Sequence, residues 1–221
     1  MRNDQNTGEN LRSPVSARFL ALLDSLPADT PRRALDLGYG AGAYTVALAQ
    51  AGFTVVAVDQ APAEPLLHRL SPHEDLAKRV TVEELLIEQY PIQEDFGVVV
   101  AKDVLHYLSQ HDTESLLTRA VQRSCSVNLH YLEVFTAISR TDARGNQIHI
   151  EGEARYTPES FSRVLERIYE GWHVTLRWDD HTEQDIRSRR TYFEATRATV
   201  VAVRRCPAPS GTTALGRGET E

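Results

Sequence analysis

Residues 34–42 read ALDLGYGAG, and this stretch decides the fold class of the chain. An apolar run is interrupted at Asp36, and glycines then occupy every second position from Gly38 to Gly42, before a helix predicted over residues 43–51. Glycine permits a tight turn and a close approach of the backbone to a ligand, because it has no Cβ. The helix that starts at such a turn offers free N–H groups and a partial positive charge to anionic groups. The stretch therefore predicts a strand, a ligand-binding loop and a helix.

A second carboxylate stands 23 residues after Asp36. Residues 54–58 read TVVAV, which predicts a second strand, and Asp59 follows directly. In nucleotide-binding α/β folds, an acid at this point of the chain holds the hydroxyl groups of a ribose. The spacing thus indicates a nucleotide pocket built from a strand, a loop, a helix and a strand.

Two cofactor classes compete for this pattern. Gly38, Gly40 and Ala43 also satisfy the dinucleotide fingerprint G-x-G-x-x-G/A. Asp36 favours a different cofactor, since a carboxylate two residues before the first glycine would repel a pyrophosphate at close range. It suits S-adenosylmethionine, which carries an ammonium, a sulfonium and a ribose for Asp59, and no phosphate. A nicotinamide cofactor and a glycine turn without a ligand are the alternatives.

At residues 36–42, DLGYGAG, the chain resembles the class I S-adenosylmethionine-dependent methyltransferases, whose first motif is D/E-x-G-x-G-x-G. The alternation of strands and helices over residues 31–205 is similar to their architecture. The resemblance implies an α/β, Rossmann-like sheet of seven strands, mostly parallel with one antiparallel strand, and helices on both faces. The expected strands are 33–37, 54–58, 79–82, 96–101, 129–135, 172–178 and 192–203, with a polar connection at 179–190. The expected helices are 13–27, 43–51, 62–70, 112–123 and 157–170.

Composition bounds the class of protein. The chain has 221 residues, 41% of them hydrophobic and 25% charged, which fits one folded domain. We expect that domain at residues 13–205, between disordered tails at 1–12 and 206–221. The N-terminus has no signal-peptide core and no apolar run is long enough to cross a membrane, so the expected location is cytoplasmic. Cys125 and Cys206 have no zinc-type spacing, and no metal site is expected.

The net charge of the chain limits the kinds of partner that it is expected to bind. The formal net charge is −7, whereas a nucleic-acid surface needs basic residues to neutralise phosphates. A small-molecule or peptide acceptor is therefore expected, on a monomer or a homodimer.

The resemblance also implies which residues bind the cofactor. Asp36 would face its methionine end, directly or through water, and the glycine loop would line it. Asp59 would bind the ribose and Gln60 would flank the adenine, whose amino group would lie near Glu84 or, alternatively, Glu83. The expected cofactor residues are Asp36, Gly38, Tyr39, Gly40, Gly42, Asp59, Gln60, Glu84 and Lys102.

Catalytic residues are harder to predict, because methyl transfer depends mostly on holding donor and acceptor in line. His106 is the candidate base, since an imidazole titrates near neutral pH, and a packing role is its alternative. Residues 136–157, after the fifth strand, carry arginines that suit a carboxylate-bearing acceptor, or else form a solvated loop. The expected acceptor residues are Asp103, Tyr107, Arg155 and Tyr156.

Residues 169–172, YEGW, and the last strand are similar to the tellurite-resistance-type methyltransferases, small bacterial enzymes that methylate chalcogen oxyanions or soft nucleophiles. Tyr39 departs from the family, which often has Cys or Ser there. Three functions stay open. They are a small-molecule methyltransferase of specialised metabolism or detoxification, a methyltransferase for a peptide or protein carboxylate, and a non-catalytic cofactor-binding domain. Tyr39 filling the pocket would favour the last.

Overall fold

Eight strands of the described chain form one sheet in the computed structural model, which describes residues 15–204 apart from the side chains of 125–127. The strands are β1 (Arg33–Leu37), β2 (Thr54–Asp59), β3 (Val80–Glu84), β4 (Phe96–Lys102), β5 (Ser124–Thr141), β6 (Gln147–Ile148), β7 (His173–Gln184) and β8 (Thr191–Arg204). The helices are α1 (Ala17–Asp24), α2 (Ala43–Gln50), α3 (Glu64–Leu70), α4 (Glu74–Ala77), α5 (Gln110–Gln122) and α6 (Pro158–Ile168). Short 3₁₀ helices cover Ile87–Gln89 and Leu105–Tyr107.

The strand order is β3-β2-β1-β4-β5-β8-β7, and β6 pairs with the far end of β5. Strands β1 to β5 of this order run parallel, whereas β8 is antiparallel to both of its neighbours. The predicted fold class is therefore confirmed, with the two-residue β6 as an addition. The tails expected at 1–12 and 206–221 and the helix start expected at Ser13-Pro14 lie outside the described residues.

Helices pack on both faces of the sheet. On one face, β1, β4 and β5 pack against Leu116 of α5 and Phe161 of α6. On the other face, the same strands pack against Phe19 of α1 and Leu48 of α2. Side chains alternate along a strand, so Asp36 points to the face that α2 covers. The middle of β4 is fully buried, as its unbroken apolar sequence predicts.

Strand β5 departs most from its predicted bounds, because it runs from Ser124 to Thr141 where 129–135 was expected. Strand β7 likewise continues through part of the predicted polar connection, to Gln184. These polar extensions are strands because β5, β8 and β7 satisfy one another's backbone groups along almost their whole length. A register shift between Thr136 and Ser139 bends β5, and there Ala137 N donates to Tyr156 O at 2.7 Å.

The carboxyl ends of the parallel strands meet at one edge of the sheet. Asp59 pairs with Glu84, and Lys102 pairs with Glu133. Beyond that edge β4 stops, whereas β5, β7 and β8 continue as a three-stranded overhang. None of the helices within residues 15–204 has both the length and the apolar character needed to cross a membrane.

Candidate active site

The glycine loop joins β1 to α2, and two of its three glycines, Gly40 and Gly42, have different surroundings. Gly42, at φ +77°, precedes α2, and a Cβ there would lie 2.3 Å from Leu66 Cδ1. Gly40, at φ +51°, would carry a Cβ with no atom within 4 Å. Gly42 therefore permits close packing of α3, whereas Gly40 borders open space that a ligand can enter.

Asp59 ties this loop to the end of β2. Its Oδ2 accepts from Gly40 N and its Oδ1 accepts from Ala61 N, both at 2.9 Å. A carboxylate has about four acceptor sites, so each oxygen can still accept from a hydroxyl group. Asp59 is only half buried, and it is thus positioned to receive a ribose.

A cleft opens at the carboxyl ends of β2, β3 and β4. Its walls mix a few polar groups with apolar side chains, as small-ligand sites commonly do. The lining residues are Asp59, Gln60, Leu86, Ile87, Glu88, Val104, Tyr107 and Leu108. The apolar members form a surface on which an adenine ring can lie, with the Asp59 carboxylate beside it.

Asp36 lies under α2 and is only 2% exposed. Its Oδ2 accepts from Thr45 Oγ1 at 2.6 Å. Burial raises the pKa of this carboxyl to about 7, and the Asp59 charge raises it further, while the Thr45 hydrogen bond opposes both effects. A cationic ligand group would stabilise the ionised form, which agrees with the predicted preference for an ammonium or sulfonium.

The end of β4 carries a buried network of charged side chains. Lys102 pairs with Asp103 and lies 3.8 Å from Glu133 Oε2. On the other side, Arg197 Nε lies 3.9 Å from Asp103 Oδ1. Glu133 also accepts from the Tyr131 hydroxyl at 2.7 Å. Lys102 and Asp103 are therefore part of the sheet edge and not a solvent-exposed pair.

His106 is 1% exposed and lies between two rings, 4.2 Å from Tyr107 and 5.1 Å from Phe135. Burial lowers the pKa of its imidazole to about 3, with further lowering by Arg140, Arg197 and Lys102. The imidazole is therefore uncharged at neutral pH and a weak proton acceptor. The reason for predicting His106 as the base, titration near neutral pH, is lost.

Comparisons with known proteins agree with this geometry. Residues 34–124 match a family described as "Methyltransferase domain". The part of the chain from β1 to the start of β5 is therefore similar to a methyltransferase domain. No curated protein sequence matches the chain significantly.

Solved structures of methyltransferases are similar to this chain over most of its length. An O-methyltransferase family protein from Burkholderia thailandensis has a TM-score of 0.56 at 16% identity, over 86% of this chain and 56% of its own. The 1,6-didemethyltoxoflavin-N1-methyltransferase of the same organism, with bound 1,6-didemethyltoxoflavin and S-adenosylhomocysteine, has a TM-score of 0.55 at 15% identity, over 91% and 80%. TehB from Haemophilus influenzae has a TM-score of 0.56 at 13% identity, over 87% and 64%. The chain thus spans little more than half of the first protein, and these likenesses show the fold.

Two of the predicted cofactor residues make other contacts in this structure. The Tyr39 ring packs with Ala57, Leu66 and Leu70, and its hydroxyl donates to Ala61 O at 3.2 Å. Only its backbone remains at the loop, so Tyr39 does not fill the cleft. Glu84 accepts from Ala63 N at 2.8 Å, just before α3, and Glu88 is the acid in the cleft wall instead.

The structure also places the predicted acceptor residues in different surroundings. Tyr107 lines the cleft next to Asp59 and Gln60, which places it on the cofactor side. Tyr156 is 2% exposed and donates to Gln110 O at 3.2 Å, which favours a packing role over the predicted contact with an acceptor. Arg155 has an exposed side chain.

Sequence reasoning missed the part of the cleft wall after β3. The apolar run Leu85-Leu86-Ile87 follows the acidic end of that strand directly, and this run was the available signal. The sequence predicted an acid near the adenine at this point, whereas the structure places an apolar surface there. Among the described residues, no group of three or more His, Cys, Asp and Glu is placed to hold a metal ion.

Proposed function

We propose that this methyltransferase transfers a methyl group from S-adenosylmethionine to a small-molecule acceptor, in specialised metabolism or detoxification. The observation that carries the proposal is the pair of carboxylates around the glycine loop. Asp36 lies buried under α2, and Asp59 accepts from Gly40 N, next to open space. The buried carboxylate of Asp36 suits a cation, and the accessible carboxylate of Asp59 suits a diol. S-adenosylmethionine has both a positive charge and a ribose diol.

The bound cofactor supplies an electrophilic methyl group on a sulfonium, which an acceptor lone pair displaces in line. The protein's part is to hold the two molecules in that geometry and exclude water. Asp36 would bind the methionine end and Asp59 the ribose. Leu86, Ile87 and Val104 would hold the adenine. Because the buried imidazole of His106 has a lowered pKa and is a weak proton acceptor, acceptors whose lone pair is available without deprotonation are favoured.

The acceptor end supports a small molecule over a peptide. A peptide would need an open groove along residues 140–156. In that segment Arg140 is paired with Glu153 at 2.5 Å, and the Tyr156 ring is buried against Phe161 at 5.2 Å. The toxoflavin enzyme among the structural neighbours also acts on a small molecule, which agrees with the proposal. The non-catalytic alternative loses its rationale, since Tyr39 leaves the cleft open.

Calorimetry and methyl transfer test the proposal together. The full chain is titrated with S-adenosylmethionine, S-adenosylhomocysteine and NAD, and is then incubated with methyl-labelled cofactor and a panel of thiols, phenols, N-heterocycles, carboxylates and peptides. We expect binding of both sulfur compounds, no binding of NAD, and label on a small molecule. Label on peptides would support the alternative acceptor class. Tight binding of NAD without S-adenosylmethionine would refute the proposal.

A further inference from the structure

The overhang of β5, β7 and β8 carries a layer of rings next to the cofactor cleft. Phe135 and Phe193 lie 5.2 Å apart and are 6% and 5% exposed. His181 lies 4.8 Å from Phe135, and His106 links Phe135 to Tyr107 in the cleft wall. We call Phe135, Phe193, Arg140, Arg197 and His181 the ring layer. It starts where β4 ends, so it adjoins the space that an acceptor must reach.

Unpaired polar atoms concentrate around the ring layer. Among the described residues, seven buried polar side-chain atoms have no hydrogen-bond partner, and four of them surround these rings. They are Asp103 Oδ1, His106 Nδ1, Glu153 Oε1 and Arg197 Nε. Asp103 Oδ1 and Arg197 Nε face each other at 3.9 Å, which is beyond hydrogen-bond distance. Buried polar atoms are normally hydrogen-bonded, so such a cluster indicates a missing polar partner. The set contains a donor, two acceptors and an imidazole nitrogen that can be either.

The charges at the ring layer are already matched. Arg140 pairs with Glu153, and Arg197 lies near Asp103. Lys102 pairs with Asp103 and Glu133. The described residues thus bring three cations and three carboxylates together, and an anionic acceptor would have to break one of these pairs. Burying a charge without a partner is costly, which disfavours carboxylates and oxyanions as acceptors.

The walls of the ring layer favour a flat molecule. The Arg197 guanidinium lies 4.8 Å from the centre of the Phe135 ring, and the Arg140 guanidinium lies 5.1 Å from that of Phe193. Planar guanidinium groups thus lie on both phenyl rings, and the His181 ring packs against both of them too, 4.8 Å from Phe135 and 5.9 Å from Phe193. His181 keeps a quarter of its side-chain surface exposed, so it can move aside for an aromatic ligand while Arg140 and Arg197 keep their ion pairs.

We propose that the methyl acceptor is a neutral, planar ring compound that carries neighbouring hydrogen-bond donor and acceptor groups and binds at the ring layer. This inference rests on the proposed function, since it names the acceptor of that reaction. It departs from the chalcogen oxyanions that the sequence resemblance implies.

Three probes of different charge and shape test the proposal by calorimetry on the full chain, with and without saturating S-adenosylhomocysteine. Quinazolin-4-one is neutral and has an N–H beside a carbonyl, 1-naphthoate has a similar ring area and a negative charge, and tellurite is a small oxyanion. We expect quinazolin-4-one to bind about ten-fold more tightly than either anion, because it needs no broken ion pair. Equal or tighter binding of an anion, or no binding of quinazolin-4-one, overturns the inference. Failure to bind S-adenosylhomocysteine would instead refute the proposed function. The comparison of the three probes in the absence of S-adenosylhomocysteine would still decide the inference.

A charge variant sharpens the test. Glu153→Gln leaves Arg140 without its carboxylate, so 1-naphthoate should bind about ten-fold more tightly. The matched control is Glu114→Gln, which breaks a similar ion pair, to Arg167 at 2.6 Å, on the exposed surface of α5 and α6. The control should leave the affinities for all three probes unchanged. A folded Glu153→Gln protein, shown by its melting temperature, with unchanged affinity for 1-naphthoate would contradict the proposal.

A ring variant separates stacking from stability. Phe193→Leu removes one wall and should weaken quinazolin-4-one binding several-fold, with S-adenosylhomocysteine binding unchanged. Phe161→Leu truncates an equally buried ring under α6 and serves as the stability control. Equal loss of quinazolin-4-one binding in both variants would count against the ring layer as the site.

Discussion

The proposed cofactor half and the proposed acceptor half of this protein use charge in opposite ways. In the cofactor half, Asp36 is buried with Thr45 as a hydrogen-bond donor, and its raised pKa shows that the carboxylate lacks a compensating cation. In the acceptor half, the ion pairs of Lys102, Arg140 and Arg197 balance one another's charge. In the first half a ligand would have to supply the positive counter-charge, whereas in the second half the protein's own side chains supply it. The difference teaches that buried charge alone does not indicate a charged ligand.

The two halves also differ in how their residues come together. The cofactor residues stand at the ends of short parallel strands and are fixed by backbone groups a few residues away, such as Gly40 N and Ala61 N on Asp59. The ring layer joins Phe135 to Phe193 through the pairing of two long strands. Local backbone geometry therefore builds one site, and long-range strand pairing builds the other.

Glycine variants give the largest expected effect in the cofactor half. Gly42→Ala places a Cβ 2.3 Å from Leu66 Cδ1 at φ +77°, and overpacking and backbone strain should lower the free energy of unfolding by about 4 kcal/mol. Gly40→Ala meets no atom within 4 Å, so it should cost only about 1 kcal/mol. It should nevertheless weaken S-adenosylhomocysteine binding, because its methyl group enters the ligand space. Urea unfolding and calorimetry measure both quantities, and unchanged binding by Gly40→Ala would remove Gly40 from the site.

Asp59→Ala tests the accessible carboxylate. It removes the acceptor for the ribose and also releases Gly40 N and Ala61 N, so S-adenosylhomocysteine should bind more weakly by about 1–3 kcal/mol. Glu84→Gln is the control, because Glu84 supports the start of α3 and does not line the cleft. Equal losses of affinity in the two variants, measured by calorimetry, would place the ribose elsewhere.

Asp36→Asn tests the buried carboxyl through the pH dependence of stability. The folded protein holds a proton on Asp36 up to about pH 7, whereas the unfolded chain loses it near pH 3.8. The contribution of Asp36 to stability is therefore greatest at low pH and is lost as the pH rises through 7. From pH 5 to pH 7 the free energy of unfolding of the natural protein should fall by about 2 kcal/mol relative to Asp36→Asn.

Urea unfolding of both proteins at pH 5, 6 and 7 measures this difference. Saturating S-adenosylmethionine should reduce it, because the positive charges of the cofactor stabilise the ionised carboxylate. Parallel pH profiles of the two proteins without ligand would show that Asp36 does not titrate in this range.

Tyr156→Phe has the smallest expected effect and tests the acceptor half. It removes the hydrogen bond to Gln110 O and should lower the free energy of unfolding by about 1 kcal/mol. The KM for any acceptor identified should stay the same, because the ring lies in the core beside Phe161. A raised KM with unchanged stability would return Tyr156 to the acceptor site.

The sequence by itself determined the cofactor end of this protein. Residues 36–42 and Asp59 predicted the loop, the two carboxylates and the cofactor, because each group acts at the end of a strand whose position the local pattern sets. The alternation of strands and helices likewise predicted a mostly parallel sheet with one antiparallel strand. The sequence did not indicate that Tyr39 and Glu84 turn to the core and to α3, since those contacts depend on a helix more than twenty residues away.

Only the tertiary structure decided the acceptor end. The lengths of β5 and β7, the burial of Tyr156 and the low pKa of His106 follow from strand pairing over polar residues that read as loops in the sequence. The folded sheet brings together residues from separate parts of the chain, namely Phe135, Arg197, Asp103 and Glu153. The physical reason is backbone hydrogen bonding between long strands, which decides which residues become neighbours and depends little on the local sequence.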